Sequence, residues 1–246
     1  MTDQAVSVPR RESSVLRFAK GLALIRESWV GMIGLAIVLF WVLVAIFAPL
    51  LAPFPPNATG APLTVPGGPS LDGTAVHWLG TDQLGRDILS RIIFGSRQVL
   101  LYAPLATFCA YLVGIPMGLA AGYRRGITDD VLSFIANVIL SFPVLVLYII
   151  IIATIGASGT NIVIAVTFAS APGIMRIVRG LVLDLRNREY VFAAETRGES
   201  PWRIMLVEIL PNARGPLIVD ACLRLGYVVI TIGTLGFLGL GLPPPD

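Results

Sequence analysis

The chain has 246 residues, of which 55% are apolar and only 13% are charged. Soluble domains carry about 25% charged residues, so this composition, with a mean hydropathy of +0.81, excludes an ordinary soluble enzyme and predicts an integral membrane protein. The net charge of +3 comes from arginines beside apolar runs, which favours a role in membrane topology over nucleic-acid binding. The length allows five or six spans of about 20 residues each.

Scarce residue types exclude further classes. Lys20 is the only lysine, and its context FAKGLA lacks the GxxxxGK[ST] pattern, so the chain has no P-loop nucleotide site of its own. His77 is the only histidine, which excludes a multi-histidine metal site. Cys109 and Cys222 lie in apolar runs, and we interpret them as small core residues rather than a disulfide or metal pair.

The first part of the chain predicts a surface segment followed by a span. Residues 1–28 combine arginines with apolar residues at helical spacing, which predicts a cytoplasmic amphipathic segment on the inner leaflet. Residues 29–51 carry no charge and form the first predicted span. The run is too long for a secretory signal, so a retained span is favoured over a cleaved signal peptide.

Residues 52–97 predict an extracytoplasmic loop with an interfacial helix. Residues 52–76 are rich in proline and glycine, which is typical of a water-exposed loop. Ile88, Leu89 and Ile92 share one helical face that leads into a second span over residues 98–122. Pro104 and Pro116 lie within that span, where neighbouring helices can satisfy the freed backbone groups.

Residues 98–246 predict the transmembrane core. The uncharged run of residues 131–175 is long enough for two spans that meet at a turn over residues 156–160. Arginines flank only the outer ends of this run, so those ends and the N-terminus are expected in the cytoplasm. A fifth span is predicted from about Gly215 to Leu242.

A charged block, EYVFAAETRGESPWRIMLVEILPN, separates the last two predicted spans at residues 189–212. Gly198 suits a left-handed turn that ends one helix. Ser200 can cap a second helix, and Pro201 suits its first position. Pro211 is expected to end that second helix near Leu210. The block thus predicts two short helices with a glycine hinge on the cytoplasmic side.

Three interpretations of this charged block remain open from its pattern. It could be an interfacial helix pair that lies on lipid, or a docking element for a soluble partner. The nearly balanced charge favours docking, because helices on membrane surfaces are usually strongly basic. A DNA-binding helix–turn–helix is disfavoured, because Glu189, Glu195 and Glu208 would face phosphate.

The charged block resembles the EAA loop of permeases in binding-protein-dependent ABC importers. That loop has an alanine pair, a spacer, a glycine, a longer spacer and then I-x-x-x-x-I-L-P. The chain departs at Phe192, which replaces the naming glutamate, and at Glu208, which replaces a position that is often basic. The matching residues are Ala193, Ala194, Gly198, Ile204, Ile209, Leu210, Pro211 and Asn212.

Two further stretches narrow the resemblance. HWLGTDQLGRDILSRIIFGSRQVL, residues 77–100, resembles the H-x-LGTD-x-x-GRD-x-LSR stretch of the C-type permeases for dipeptides, oligopeptides and nickel. LGFLGLGLPPPD, residues 235–246, resembles the end of their fifth span. The resemblance implies an all-α type I ABC importer transmembrane domain with five spans visible. The sixth span that the family adds after this stretch is absent from this sequence.

The resemblance also implies partners and roles. The chain would be a non-catalytic translocation subunit in a bacterial or archaeal cytoplasmic membrane, with a second homologous permease, two ATPase subunits and an extracytoplasmic binding protein. It would bind no cofactor, while the ATPase subunits bind ATP and Mg²⁺. Phe192, Trp202 and Met205 could serve as anchors for an ATPase. The expected coupling residues are Phe192, Ala193, Ala194, Glu195, Gly198, Trp202, Ile204, Glu208 and Pro211.

Other functions compete with an importer subunit. A secondary transporter driven by an ion gradient needs ionisable groups inside the bundle, and only Asp220 and Arg224 are candidates. Their i,i+4 spacing, with the acid first, favours an ion pair near the cytoplasmic end of the fifth span over a pathway site. A membrane-embedded enzyme is disfavoured, because HExxH, GxSxG and paired carboxylates in a span are all missing. We interpret His77 as a structural residue rather than as a nickel ligand.

Overall fold

The computed structural model describes residues 28–241, and these residues are almost entirely helical. The predicted amphipathic segment, except Ser28, and the final PPPD therefore lie outside the described residues. The elements, in chain order, are helices α1 (Trp29–Ile46) and α2 (Ala48–Leu51), strands β1 (Gly68–Pro69) and β2 (Val76–His77), helices α3 (Ile88–Arg124), α4 (Ile127–Leu140), α5 (Val144–Ile155), α6 (Gly159–Leu185), α7 (Glu189–Thr196) and α8 (Pro201–Arg203), a π-helix (Ile204–Ile209) and helix α9 (Leu210–Phe237).

Four helices of the described chain are long and apolar enough to cross a membrane. They are α1, α3, α6 and the continuous helical stretch Pro201–Phe237. A fifth span results if α4 and α5, which meet at an angle of 87°, are counted together. The Ser28 side chain caps α1 by accepting a hydrogen bond from the Gly31 amide at 3.2 Å. Most side chains of α1 are exposed, as expected for a helix that contacts lipid.

Helices α3 and α6 form the close-packed centre of the bundle. Three glycines of α3, spaced four residues apart, let the two backbones approach, as in small-residue contacts between membrane helices. A Cβ atom at these glycines would lie only 2.5–2.7 Å from a Cβ atom of α6. The facing pairs are Gly114 with Ile174, Gly118 with Val178, and Gly122 with Val182.

The structure changes two of the predicted boundaries. Helix α3 runs without a break from Ile88 to Arg124, so the expected interfacial helix and second span are one element. The turn between the next two predicted spans lies where expected, since α6 begins at Gly159 with Ser158 as its cap. The span before this turn, however, is the bent pair α4–α5. Pro143 stands at the bend, where its ring disfavours helical backbone at the preceding residue.

The prediction that Pro211 ends a helix near Leu210 is wrong. The chain continues as α9 to Phe237. In the π-helix before it, backbone hydrogen bonds span five residues, and the Leu210 amide donates to the Met205 carbonyl. Pro211 then lies in the first turn of α9, and the wider π turn relieves the demand for its missing amide. The predicted fifth span is therefore the continuation of the charged block's second helix.

The extracytoplasmic loop of the sequence analysis is folded rather than extended. Strands β1 and β2 form a short antiparallel hairpin. His77 is buried, its Nδ1 lies 2.9 Å from Asp87 Oδ1, and its ring stacks on Phe54 at 4.4 Å. Asp87 also caps α3 by accepting from the Ser90 amide at 2.8 Å. These contacts assign His77 a structural position in the loop.

Candidate coupling loop and half-buried ion pair

The glycine hinge of the charged block is a complete helix-ending motif. Gly198 has φ +72°, a conformation that side chains with a β-carbon disfavour. The Glu199 amide donates to the Ala194 carbonyl at 3.2 Å, and the Gly198 amide donates to the Glu195 carbonyl at 2.9 Å. These two bonds form a Schellman motif at the end of α7. The turn therefore fixes the angle between the helices on either side.

The second helix of the block begins as its sequence predicts. Ser200 caps α8 by accepting from the Arg203 amide at 3.4 Å, and Pro201 occupies the first turn. The π-helix follows directly after α8. Residues 189–212 thus form two helices with a rigid connection, which we call the coupling loop.

The coupling loop packs firmly on the bundle. Its buried side chains join the core that lies between the ends of α3 and α6. The Tyr123 hydroxyl of α3 donates to Glu195 Oε1 at 3.0 Å, and the Arg124 guanidinium lies 5.4 Å from the centre of the Trp202 ring. A movement of the loop would therefore be transmitted to α3. The buried residues are Val191, Ala194, Ile204, Met205 and Ile209.

The structure divides the predicted coupling residues into a buried set and an exposed set. Ala194 and Ile204 hold the loop on the bundle, whereas Phe192 and Trp202 expose 53% and 50% of their surface. Met205 is completely buried, so the expectation that it anchors a partner is wrong. Its position on the inner side of the π-helix is the reason. The remaining predicted residues Ala193, Glu195, Gly198 and Pro211 are exposed, and Glu208 is half-buried.

Four charged side chains of the coupling loop pair among themselves. Arg197 lies 2.9 Å from Glu199 and 3.7 Å from Glu208, and Arg203 lies 3.4 Å from Glu199. Burial raises the pKa of the nearby Tyr190, so its phenol stays neutral. The nearly balanced charge of the coupling loop, which favours docking over a lipid surface, therefore comes largely from ion pairs within the loop itself.

Asp220 and Arg224 lie apart from the coupling loop, and both side chains are half-buried. Arg224 Nε donates to Asp220 Oδ2 at 2.7 Å, and the Tyr111 hydroxyl donates to the same carboxylate. Tyr111 lies about 20 Å along α3 from Arg124, at 1.5 Å per residue, in a hydrocarbon core about 30 Å thick. The pair therefore lies about 20 Å along the bundle from Arg124, and the helix-end position that the sequence favoured stays a prediction.

Tyr111 could not be recognised as a partner of Asp220 from the sequence, because only the fold brings α3 against α9. The small residues Gly114, Gly118 and Gly122 mark the contact of α3 with α6, and no comparable spacing signals the contact of α3 with α9. Within residues 28–241 there is no group of three or more His, Cys, Asp or Glu side chains that could hold a metal ion.

Long apolar helices around a close-packed centre, with a rigid paired-helix loop at one end, define a helical integral membrane protein. The chain belongs to the family described as binding-protein-dependent transport system inner membrane components, whose profile matches residues 114–246. A second profile, the N-terminal TM domain of oligopeptide transport permease C, matches residues 24–66. The chain is therefore a permease subunit of a type I ABC importer.

Individual relatives agree with this family. The chain is 36% identical to the dipeptide transport system permease protein DppC of Alkalihalophilus pseudofirmus, over 100% of this chain and 80% of the relative. It is also 36% identical to the oligopeptide transport system permease protein OppC of Bacillus subtilis, over 89% of this chain and 70% of the relative. Among solved structures, the inward-facing MetNI methionine ABC transporter matches 59% of this chain and 73% of that chain, with a TM-score of 0.51 and 23% identity, which supports the fold alone.

Proposed function

We propose that this permease moves peptides, or a related small solute, from an extracytoplasmic binding protein across the cytoplasmic membrane. The names of its relatives, which include transporters of dipeptides and oligopeptides, support the substrate class. The observation that carries the proposal is the coupling loop, a preformed docking element on a chain that lacks a P-loop. Energy for transport would then come from separate ATPase subunits.

The working complex contains this chain, a second homologous permease, two cytoplasmic ATPase subunits and the binding protein. The chain itself is non-catalytic and binds no cofactor, and ATP and Mg²⁺ belong to the ATPase subunits. Phe192 and Trp202 offer large apolar surface for an ATPase groove, and such aromatic side chains dominate interface energies. Closure of the ATPase pair would push the coupling loop and, through Glu195 and Tyr123, tilt α3.

Charge and length support an orientation with the coupling loop in the cytoplasm. The coupling loop and the arginines at the 124–125 turn lie in the cytoplasm, as the positive-inside rule favours. Helix α3 is 37 residues long, which corresponds to about 55 Å and exceeds the hydrocarbon thickness. The folded loop at its other end therefore faces outside, where it receives the binding protein. The N-terminus is cytoplasmic in this arrangement.

Reconstitution of the purified complex tests the proposal. Proteoliposomes that contain the permeases and ATPase subunits should take up a peptide from a panel of di- to pentapeptides only when ATP and the loaded binding protein are present. Peptide uptake that an ion gradient drives without the ATPase subunits would contradict the proposal and favour a secondary transporter. Absence of uptake for every peptide would contradict the substrate class.

A further inference from the structure

A partly open cavity of about 410 Å³ lies beside the half-buried ion pair, between the end of α4 and helices α5, α6 and α9. Its volume falls in the range of small-molecule sites, about 300–1,000 Å³. Apart from one guanidinium, its polar lining consists of hydroxyl groups. The polar residues that line it are Tyr148, Ser170, Arg224, Tyr227, Thr231 and Thr234.

The ion pair presents only its positive side to this cavity. Arg224 lines the cavity, whereas Asp220 and Tyr111 do not. Asp220 accepts hydrogen bonds from Arg224 Nε and from the Tyr111 hydroxyl, so its negative charge is turned away and neutralised. No acidic side chain lines the cavity within the described part of the chain.

The terminal nitrogens of Arg224 are held at the cavity wall. They lie against Gly173 of α6, where a Cβ atom would come within 3.2 Å of Nη2 and 3.3 Å of Nη1. A guanidinium that is fixed at Nε and has its Nη edge at a cavity is arranged for a planar anion, because it binds carboxylates through two parallel hydrogen bonds. In a medium of low dielectric such a pair is much stronger than in water.

The hydroxyl lining matches the remainder of a peptide. The Thr231 and Thr234 hydroxyls donate to the carbonyls of Tyr227 and Ile230 at 2.9 Å. Since their hydrogens are engaged, their oxygens remain as acceptors, which suits the N–H groups of a peptide backbone. Apolar residues such as Leu140, Leu145 and Val228 complete the lining and would tolerate side chains of different size.

We propose that Arg224 is a receptor for the terminal carboxylate of a peptide during its passage through the membrane domain, and that Asp220 and Tyr111 position its guanidinium. The inference rests on the proposed function, because it assumes that peptides enter this cavity. It adds a site of defined chemistry inside the bilayer, separate from recognition by the external binding protein.

Protection of a cysteine in the cavity tests the proposal in the complex of permease and ATPase subunits. Thr231→Cys, in a background without Cys109 and Cys222, is allowed to react with a small methanethiosulfonate reagent. The probe is the peptide that the unaltered complex transports best, as the free acid and as the C-terminal amide. The free acid should protect the cysteine at a concentration at least tenfold lower than the amide.

Variants of the site then assign this discrimination to Arg224. In Arg224→Gln, the free acid and the amide should protect half of the cysteine at similar concentrations. Asp220→Asn should raise the concentration needed for the acid and leave that for the amide unchanged, whereas a merely structural loss would raise both. Gly173→Ala, which displaces the guanidinium and keeps its charge, should also reduce the discrimination. Gly180→Ala on the same helix has open space at its Cβ position and should match the unaltered site.

The outcomes separate this inference from the proposed function. Equal protection by acid and amide, discrimination that survives Arg224→Gln, or protection by neither peptide would overturn the carboxylate site, even while peptide uptake persists. If the unaltered complex takes up no peptide at all, the proposed function fails first. Co-purification of the ATPase subunits with each variant shows that the assembly is intact.

Discussion

The backbone conformation of Gly198 sets the angle between the two helices of the coupling loop. Its positive φ lets the end of α7 close with a Schellman motif. A Cβ atom at this position would meet nothing within 4 Å, so any effect of a substitution comes from backbone conformation and not from a steric clash.

Gly198→Val is therefore expected to strain the hinge by about 1–2 kcal/mol and to change the angle between α7 and α8. We expect normal insertion and abundance, weakened ATPase binding, and transport that is lost or uncoupled from ATP hydrolysis. Substrate-stimulated ATPase activity in proteoliposomes and co-purification of the ATPase measure this effect.

Two control variants separate conformation from charge. Gly198→Asn should be milder than Gly198→Val, because asparagine tolerates the left-handed region. Glu208→Gln should also be milder, since it removes only one partner of Arg197 at 3.7 Å. Unchanged ATPase stimulation in Gly198→Val would mean that the helices rest on lipid and do not couple.

At the scale of elements, the contact between α3 and α6 depends on residues without side chains. Gly118→Ala would place a Cβ atom 2.5 Å from Val178 Cβ and 2.7 Å from the Met175 carbonyl oxygen. Neither atom lies at the end of a flexible side chain, so the helices must separate. We expect a loss of about 1–3 kcal/mol, which is typical of an overpacked core.

Thermal unfolding of the purified permease in detergent measures that loss. Gly95→Ala is the matched control, because Gly95 lies in the same helix and its Cβ position is open. If both variants unfold at the temperature of the unaltered protein, the two helices are not as closely packed as the structure shows.

The folded loop that precedes α3 predicts a dependence of its stability on pH. Partial burial raises the pKa of Asp82, but hydrogen bonds from the backbone and side chain of Arg86 and from the backbone of Leu84 outweigh burial and lower the pKa below its ordinary value of 3.8. A carboxyl group with a lowered pKa in the folded state stabilises that state above the ordinary value. This stabilisation is lost as the pH falls through the lowered pKa.

Pepsin cleavage between residues 78 and 91 should therefore be slow at pH 4 and faster at pH 2, relative to denatured protein at the same pH. Asp82→Asn should be cleaved rapidly at both pH values. A loop that is equally resistant at pH 2 would show that Asp82 contributes little to its fold.

The sequence predicted those elements whose signals are local. Gly198, Ser200 and the turn before Gly159 each act through their own backbone or the next few residues, and all three lie where expected. The predicted helix end at Pro211 was wrong, because the π-helix before it depends on how the loop packs against the bundle. The contact of Asp220 with Tyr111 was equally hidden, since Tyr111 is distant in sequence and meets Asp220 only through the packing of α3 against α9.

At the scale of the whole molecule, the two ends of α3 carry different structures. The folded loop precedes Ile88, and Arg124 at the other end of the helix lies beside the coupling loop. A helix of about 55 Å separates these ends by more than the hydrocarbon core, so we expect them on opposite sides of the membrane.

Single cysteines at the two ends should therefore react differently in intact cells with a permeabilised outer membrane. In a background without Cys109 and Cys222, Thr74→Cys or Asn57→Cys should react with an impermeant thiol reagent, because both positions are exposed in the loop. Ile127→Cys, an exposed position near the coupling loop, should react only after the inner membrane is opened. The reverse pattern would invert the topology and place the coupling loop outside, where no ATPase could reach it.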